Sequence, residues 1–488
     1  MTRILAGLAV AAALSACAVG PNFTRPAAPT SGGYLPQALP AATTAALGSQ
    51  GAGQTFSWGA DVPAEWWTLF RSPAIDALVE RALKANPDIQ SAQAALRAAR
   101  EAYFAQRAAL WPTVDASYNV VREQAGSTLA PPLTSNNDLF TLHTAQLSVS
   151  YAPDVFGAVR RQTESVQAQA EAQRFQTEAT YLTLTANVVV AAIEAAAFRE
   201  QLSTTQKTLA DARAVLGVMR RQLALGEIAR ADVAAQEGVV AQAEQAAPPL
   251  EKQLAQQQDL LADLTGRFPS ESDAAGVDLD TTTLPQALPV SLPSSLVEQR
   301  PDVRAAEANL HAASAQVGVA IANRLPNFTL SATAGGASTD IAQLFSNGNG
   351  FWSVGGTIAQ PIFEGGALLH KERGARAALD QAGAQYKSAV LAAFQNVADS
   401  LQALMADARL LQSSDSAERS AAESLAIARR QQALGQVSSL VVMAADQSYQ
   451  QAHMARIQAA AARLTDTAAL YQSLGGGWWN RKETAEVR

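Results

Sequence analysis

Four short stretches of this chain alternate between apolar and polar side chains. In 113–122, Val114, Ala116, Tyr118 and Val120 alternate with Thr113, Asp115, Ser117 and Asn119; in 141–152, Ala145, Leu147, Val149 and Tyr151 alternate with Gln146, Ser148 and Ser150. The pattern returns in 327–335, where Phe328, Leu330, Ala332 and Ala334 oppose Asn327, Thr329, Ser331 and Thr333. It returns again in 351–360, where Trp352, Val354, Gly356 and Ile358 oppose Ser353, Gly355 and Thr357. A two-residue period predicts strands with one apolar and one polar face. Taken singly, each strand fits a half-buried sheet in a soluble protein.

A different pattern fills the long gaps between the strand pairs. No proline occurs between Asp154 and Ala247 or after Ile362, and Ala, Gln, Glu, Leu and Arg dominate both stretches. Helices over 157–226 and 365–435 follow, each about 70 residues and roughly 100 Å long. Gly226 and Gly435 read as their C-terminal stops, with return helices over 231–266 and 439–474. The Pro248-Pro249 pair is expected to break or kink the first return helix. A cytoplasmic coiled-coil rod would also be long and helical, but a heptad seam would hold more Leu and Ile and less Ala. Small residues on two faces suit a helix packed between two neighbours in a wall.

The chain states this plan twice. Asn86-Pro87-Asp88 matches Arg300-Pro301-Asp302, and Trp111-Pro112-Thr113 matches Leu325-Pro326-Asn327. Asp154-Val155-Phe156-Gly157 matches Pro361-Ile362-Phe363-Glu364-Gly365, and Arg220 to Gly226 matches Arg429 to Gly435. The halves run over 65–270 and 301–475, joined by a connector over 271–300 and followed by a tail over 476–488. Residues 17–64 are rich in Ala, Pro, Gly, Ser and Thr and read as an extended or loosely held arm. Order is expected from Glu65-Trp66-Trp67, with an amphipathic helix from Pro73 to Lys84.

The N-terminus changes what the strands mean. Arg3, the apolar run from Ile4 to Leu14, and Leu14-Ser15-Ala16-Cys17 make 1–16 an export signal too short to span a bilayer. It resembles a bacterial lipobox that would leave Cys17 as an acylated (palmitoylated) N-terminus; an ordinary signal peptide that discards its Cys is the alternative. Ala18 after the Cys points by the usual sorting pattern to the outer membrane. With only one Cys, no intramolecular disulfide framework is available.

In an exported chain, strands of about ten residues are long enough to cross a bilayer when tilted. Apolar outward and polar inward would then make a pore. Backbone groups in lipid are all satisfied only by a closed barrel, which four strands cannot make. Two copies would give eight strands and a filled interior, whereas three give twelve and leave room for solute. The expected fold class is therefore an α+β membrane protein: a homotrimer with a twelve-stranded transmembrane barrel, four strands per chain, continuous with a helical barrel.

Composition agrees with long packed helices rather than a bulky core, since 16% of the 488 residues are charged and 6% are aromatic. The net charge of -7 argues against nucleic acid as a partner. An acidic chain could favour cations in a pore, but the sequence does not place those charges. His143, His311, His370 and His453 stand alone, without a His-x-x-His pair or a phosphate-binding Gly-rich loop. No cofactor, metal site or enzymatic activity is expected, and energy for transport would have to come from a partner.

These residues resemble the TolC-like outer membrane factors of tripartite efflux and secretion systems, in particular their lipoprotein (NodT-type) branch. The likeness runs from Cys17-Ala18-Val19-Gly20-Pro21-Asn22-Phe23-Thr24-Arg25-Pro26 to Gly475. Its most specific parts are Glu65-Trp66-Trp67, Arg300-Pro301-Asp302-Val303-Arg304-Ala305-Ala306-Glu307 and Leu325-Pro326. It implies a trimer with a twelve-helix periplasmic barrel and an equatorial collar built from about Leu69 to Lys84, the region around Pro248 to Pro301, and the tail. It also implies hairpin tips that dock a periplasmic adaptor and close the channel at rest, at Gly226-Glu227-Ile228-Ala229 and Gly435-Gln436-Val437-Ser438. A Gly-centred turn is, however, what any helical hairpin requires.

Gate residues transfer less cleanly. Leu440 matches the family's apolar gate position, but Ala444 stands where an acid is usual, and Asp446 lies two residues further on. Asp232 either forms a constriction ring or caps the return helix. Three functions remain: a passive duct for small amphipathic molecules fed by an adaptor and a proton-driven inner-membrane pump; an exit duct of type I protein secretion fed by an ATP-driven exporter; or a structural tether. The lipoprotein branch leans towards the first.

Overall fold

A computed structural model describes residues 18–48, 50–124, 139–271 and 276–481. The expected signal peptide and Cys17 lie outside them, as do 272–275 of the connector and 482–488 of the tail. The chain divides into two compact units. One takes in the residues up to Arg25, Leu96–Gln173 and Ala306–Tyr386; the other takes in Pro26–Ala95, Arg174–Ala305 and Lys387–Arg488.

The element order is β1 (Thr55–Trp58), α1 (Pro73–Ala85), α2 (Pro87–Ala108), β2 (Thr113–Gln124), β3 (Leu139–Tyr151), α3 (Ala158–Ala224) and α4 (Arg230–Leu264). It continues with β4 (Ala287–Val290), α5 (Pro293–Gln299), α6 (Pro301–Ala322), β5 (Asn327–Ser338), β6 (Gly350–Ala359), α7 (Ala367–Ala433) and α8 (Ser439–Ser473). The doubling of the sequence survives as equal lengths: α2 and α6 each have 22 residues, α3 and α7 each 67, and α4 and α8 each 35.

In the first unit, β2, β3, β5 and β6 form one antiparallel sheet in that order. Asp154 starts α3 by accepting from the Val159 and Arg160 N–H groups at 3.0 and 2.8 Å. α7 starts at Ala367, directly after Gly365 and Gly366, which both sit at positive φ.

The second unit holds the apolar core. Trp66 is fully buried, stacks on Tyr471 with ring centres 5.4 Å apart, and meets Phe70 edge-on. An apolar stretch of α3 is long enough to cross a membrane, but most of it is buried in the structure, with Val188, Val189, Ala192 and Ile193 almost fully enclosed.

Two expectations are corrected here. The arm is not loosely held: β1 pairs in parallel with β4 from Thr55↔Ala287 to Trp58↔Val290, and Thr43, Gln50 and Gln54 are buried. The cause is Arg463 of α8, fully buried, whose guanidinium donates to the Gln50 and Ala52 carbonyls at 2.9 and 2.8 Å and to Thr43 Oγ1 at 3.0 Å. A buried guanidinium needs acceptors on every side, and the arm supplies them. The connector is ordered for the same reason, since β4 is the strand that β1 completes. The second correction concerns the break expected at Pro248-Pro249: α4 runs uninterrupted over Arg230–Leu264. Both rings face solvent, where water can satisfy the carbonyls they leave without donors, while the neighbouring Ala247 and Leu250 are buried.

Candidate channel walls and hairpin tips

The strand register decides which side chains share a face. Thr113, Asp115, Ser117 and Asn119 pair with Ser150, Ser148, Gln146 and Thr144. Those of β3 pair in turn with Ser331, Thr333, Gly335 and Ala337, and the β5 residues with Gly355, Ser353 and Phe351. One face is thus mainly hydroxyl and amide. The other carries Val114, Tyr118, Val120, Leu147, Val149, Leu330, Trp352, Val354 and Ile358, all exposed. A soluble sheet would bury that face; among the described residues its cover is local, from Phe345 near Ala334, Leu344 at Gly336 and Phe156 beside Phe328. Among the described residues, the outer edges of β2 and β6 have no strand partner.

The two hairpin turns are built alike. Gly226 (φ 75°) donates to the Leu223 carbonyl at 2.9 Å, and Glu227 reaches back to Gln222 at 2.9 Å. Gly435 (φ 72°) and Gln436 do the same to Gln432 and Gln431, both at 2.9 Å. This paired closure satisfies the last helical carbonyls and requires the left-handed conformation that glycine adopts freely. Leu225 and Leu434 stand exposed at the apices. Glu227, Ala229, Gln436 and Ser438 are exposed, and Val437 is half-buried. Ile228 instead packs into the hairpin seam against the cluster of Leu216, Met219 and Val233, so it braces the turn more than it presents a surface.

The gate candidates separate. Leu440 is exposed, with Val441 beside it. The Asp232 carboxylate accepts from the Ala229 N–H at 3.2 Å, so it caps α4. Asp446 is drawn across its hairpin to Arg429 at 3.0 Å. Sequence reading missed the equivalent pair of the first hairpin, Arg220 and Glu237 at 2.7 Å, although both pairs are 17 residues apart and both arginines sit six residues before the tip glycine. Burial and the facing Asp211 raise the Asp446 pKa, against the pull of Arg429. Lys207, Asp211, Arg429, Asp446 and His453 line one groove where α3, α7 and α8 meet.

The segment after Cys17 is fixed to the first unit. Val19 donates to the Phe156 carbonyl at 3.1 Å, and its own carbonyl accepts from Arg161 at 3.1 Å. Arg161 also holds Asn22 at 2.7 Å, Phe23 stacks on His311 with centroids 4.4 Å apart, and Arg25 pairs with Glu307 at 3.0 Å. Gly20 lies so close to Gly318 that a Cβ on it would stand 2.4 Å from that Cα. Ala18 is thereby held against Gly157, at the junction of β3 and α3.

Residues 78–267 and 292–476 match the family model described as outer membrane efflux protein. The chain belongs to the outer membrane efflux protein family. It is an outer membrane channel protein, and members of the family are channels rather than enzymes. It is 30% identical over 486 residues to the probable efflux pump outer membrane protein TtgC of Pseudomonas putida, covering 99% of this chain and 97% of that one. It is 31% identical to the pyoverdine export outer membrane protein OpmQ of Pseudomonas putida, over 85% of this chain and 88% of that one. Among solved structures it superposes on the outer-membrane channel OprN with a TM-score of 0.82 at 26% identity, covering 95% of this chain and 100% of that one. The open-state channel MtrE of Neisseria gonorrhoeae gives 0.81 at 26% identity, over 96% of this chain and 100% of that one.

Proposed function

We propose that three copies of this chain close one barrel by pairing β6 of each with β2 of the next, and that the result is the exit duct of a tripartite efflux pump. The observation that carries this is the sheet itself: four strands with one exposed apolar face, one polar face and two open edges. Strands in lipid must leave no edge, so neighbouring copies supply the missing partners. The apolar face then meets the hydrocarbon and the polar face lines a water-filled lumen. Cys17, acylated, anchors each copy in outer membrane lipid, with the Arg161 socket holding Ala18 where strand gives way to helix.

The duct is passive and serves small amphipathic molecules delivered by a proton-driven inner-membrane pump through a periplasmic adaptor. Gly226 to Ala229 and Gly435 to Ser438 are the docking tips, with Leu440 in the gate. Relatives named for toluene efflux and pyoverdine export support a small-molecule cargo. The test is a tip cross-link in intact cells: Ser438→Cys supplies a thiol, and captured neighbours are identified by mass. An adaptor and a proton-driven pump are expected; an ATP-driven exporter would make the chain a protein-secretion duct. Failure to capture any neighbour from a folded trimer would remove the tips as docking sites.

A further inference from the structure

We propose that Asp115 gives the strand-lined part of the duct a preference for cations; this rests on the reading that the polar face lines the lumen. The register sets Asp115, Ser148, Thr333 and Ser353 side by side on one rung of the sheet. Thr333 and Ser353 exchange a 2.7 Å hydroxyl hydrogen bond there. Along the polar face of the described strands, the charged side chains are Asp115 and, near the far end of β2, Glu123. No Lys, Arg or His shares that face. Arg122 and His143 fall on the opposite face, where His143 bonds to Tyr118 at 2.7 Å.

Three copies would therefore place three Asp115 carboxylates on one ring of otherwise neutral hydroxyls. A twelve-stranded barrel, with strands about 4.8 Å apart and tilted by about 40°, has a backbone radius of roughly 12 Å. Carboxylates projecting inward from that wall reach to about one Debye length, about 8 Å, from the axis. Their field thus acts on a solute anywhere in the cross-section, and nothing basic on that face offsets it. The favoured cargo chemistry is an amphipathic cation, such as an amine or guanidine, over an amphipathic anion of the same size.

The test is the reversal potential of the full-length trimer in a planar bilayer under a potassium chloride gradient. Wild type is expected to pass potassium several-fold more readily than chloride. Asp115→Asn should bring that ratio close to one, Asp115→Lys should invert it, and Thr333→Asp, which adds a carboxylate to the same rung, should raise it. Unchanged reversal potentials in both Asp115 variants would overturn the proposal. So would a preference that survives them but disappears in Asp232→Asn, because selectivity would then be set at the tips. A folded trimer that passes no current would defeat the duct reading, and this inference with it.

Discussion

Arg300 donates a 2.9 Å hydrogen bond to the carbonyl of Ser473, the last residue of α8. In the first half, Asn86 makes the equivalent closure at 3.0 Å on Leu264, the last residue of α4. A left-handed glycine follows each helix end, Gly266 and Gly475, and a Cβ on either would stand 2.6 Å from the carbonyl oxygen of the residue just before Asn86 or Arg300. The two halves close the same joint with different chemistry.

That joint predicts unequal sensitivities. Arg300 also grips Asp302 with two bonds, at 2.9 and 2.6 Å. Arg300→Ala should cost about 1–3 kcal/mol, the penalty of leaving a buried acceptor unmade, and Arg300→Lys should recover only part of it, since an ammonium lacks the fork. Asn86→Ala should cost less. Thermal unfolding of the detergent-solubilised protein measures the order.

Arg463 predicts a larger loss. Its removal leaves the Gln50 and Ala52 carbonyls without the donor that Arg463 supplies and takes one of two donors from Thr43 Oγ1, which keeps the Gln54 N–H. Arg463→Ala should cost about 3–5 kcal/mol and free the arm, with cleavage between residues 40 and 55 in limited proteolysis. Wild-type resistance in this variant would mean the arm is held by β1 and β4 alone.

The pH dependence has a definite sign at Asp407. Burial first, then the hydrogen bond and charge of Asp466, push its carboxyl up to about 7, against the pull of Arg463. A raised carboxyl contributes stability that is full below the ordinary carboxylate range and is lost as pH rises through about 7. The melting temperature should fall by a few degrees between pH 5.5 and pH 8, and Asp407→Asn should flatten that slope. A melting temperature that rises over this range would contradict the assignment.

Asp446 makes a counterintuitive prediction. It has an ion-pair partner in Arg429, yet burial and Asp211 raise its pKa, so its charge is a net burden on the fold at neutral pH. Asp446→Asn should leave stability unchanged or slightly higher at pH 7.5, whereas Glu237→Gln in the more exposed counterpart pair should change it by under about 1 kcal/mol. A marked loss in Asp446→Asn would show that the pair is a structural tie.

The strands and long helices were legible because their signals are local: a period of two in Val114 to Val120, and freedom from proline through α3 and α7. The arm was not, because two of the acceptors around Arg463 are backbone carbonyls, which any residue has, and the other two are the common side-chain oxygens of Thr43 and Gln54. Pro248-Pro249 misled for a related reason, since a helix tolerates proline where water reaches the freed groups. Glu237 was recoverable: counting six residues back from each tip glycine, then 17 forward, finds both cross-hairpin pairs. The role of Asp232 was not readable from its type, because a cap and a constriction ring both call for an acid near a helix start.

The most direct test of the account is the accumulation of an amphipathic cationic dye in cells that lack this chain. Accumulation should rise several-fold and return to the original level when the wild-type chain is restored. Unchanged accumulation, together with loss of a secreted polypeptide from the medium, would contradict it.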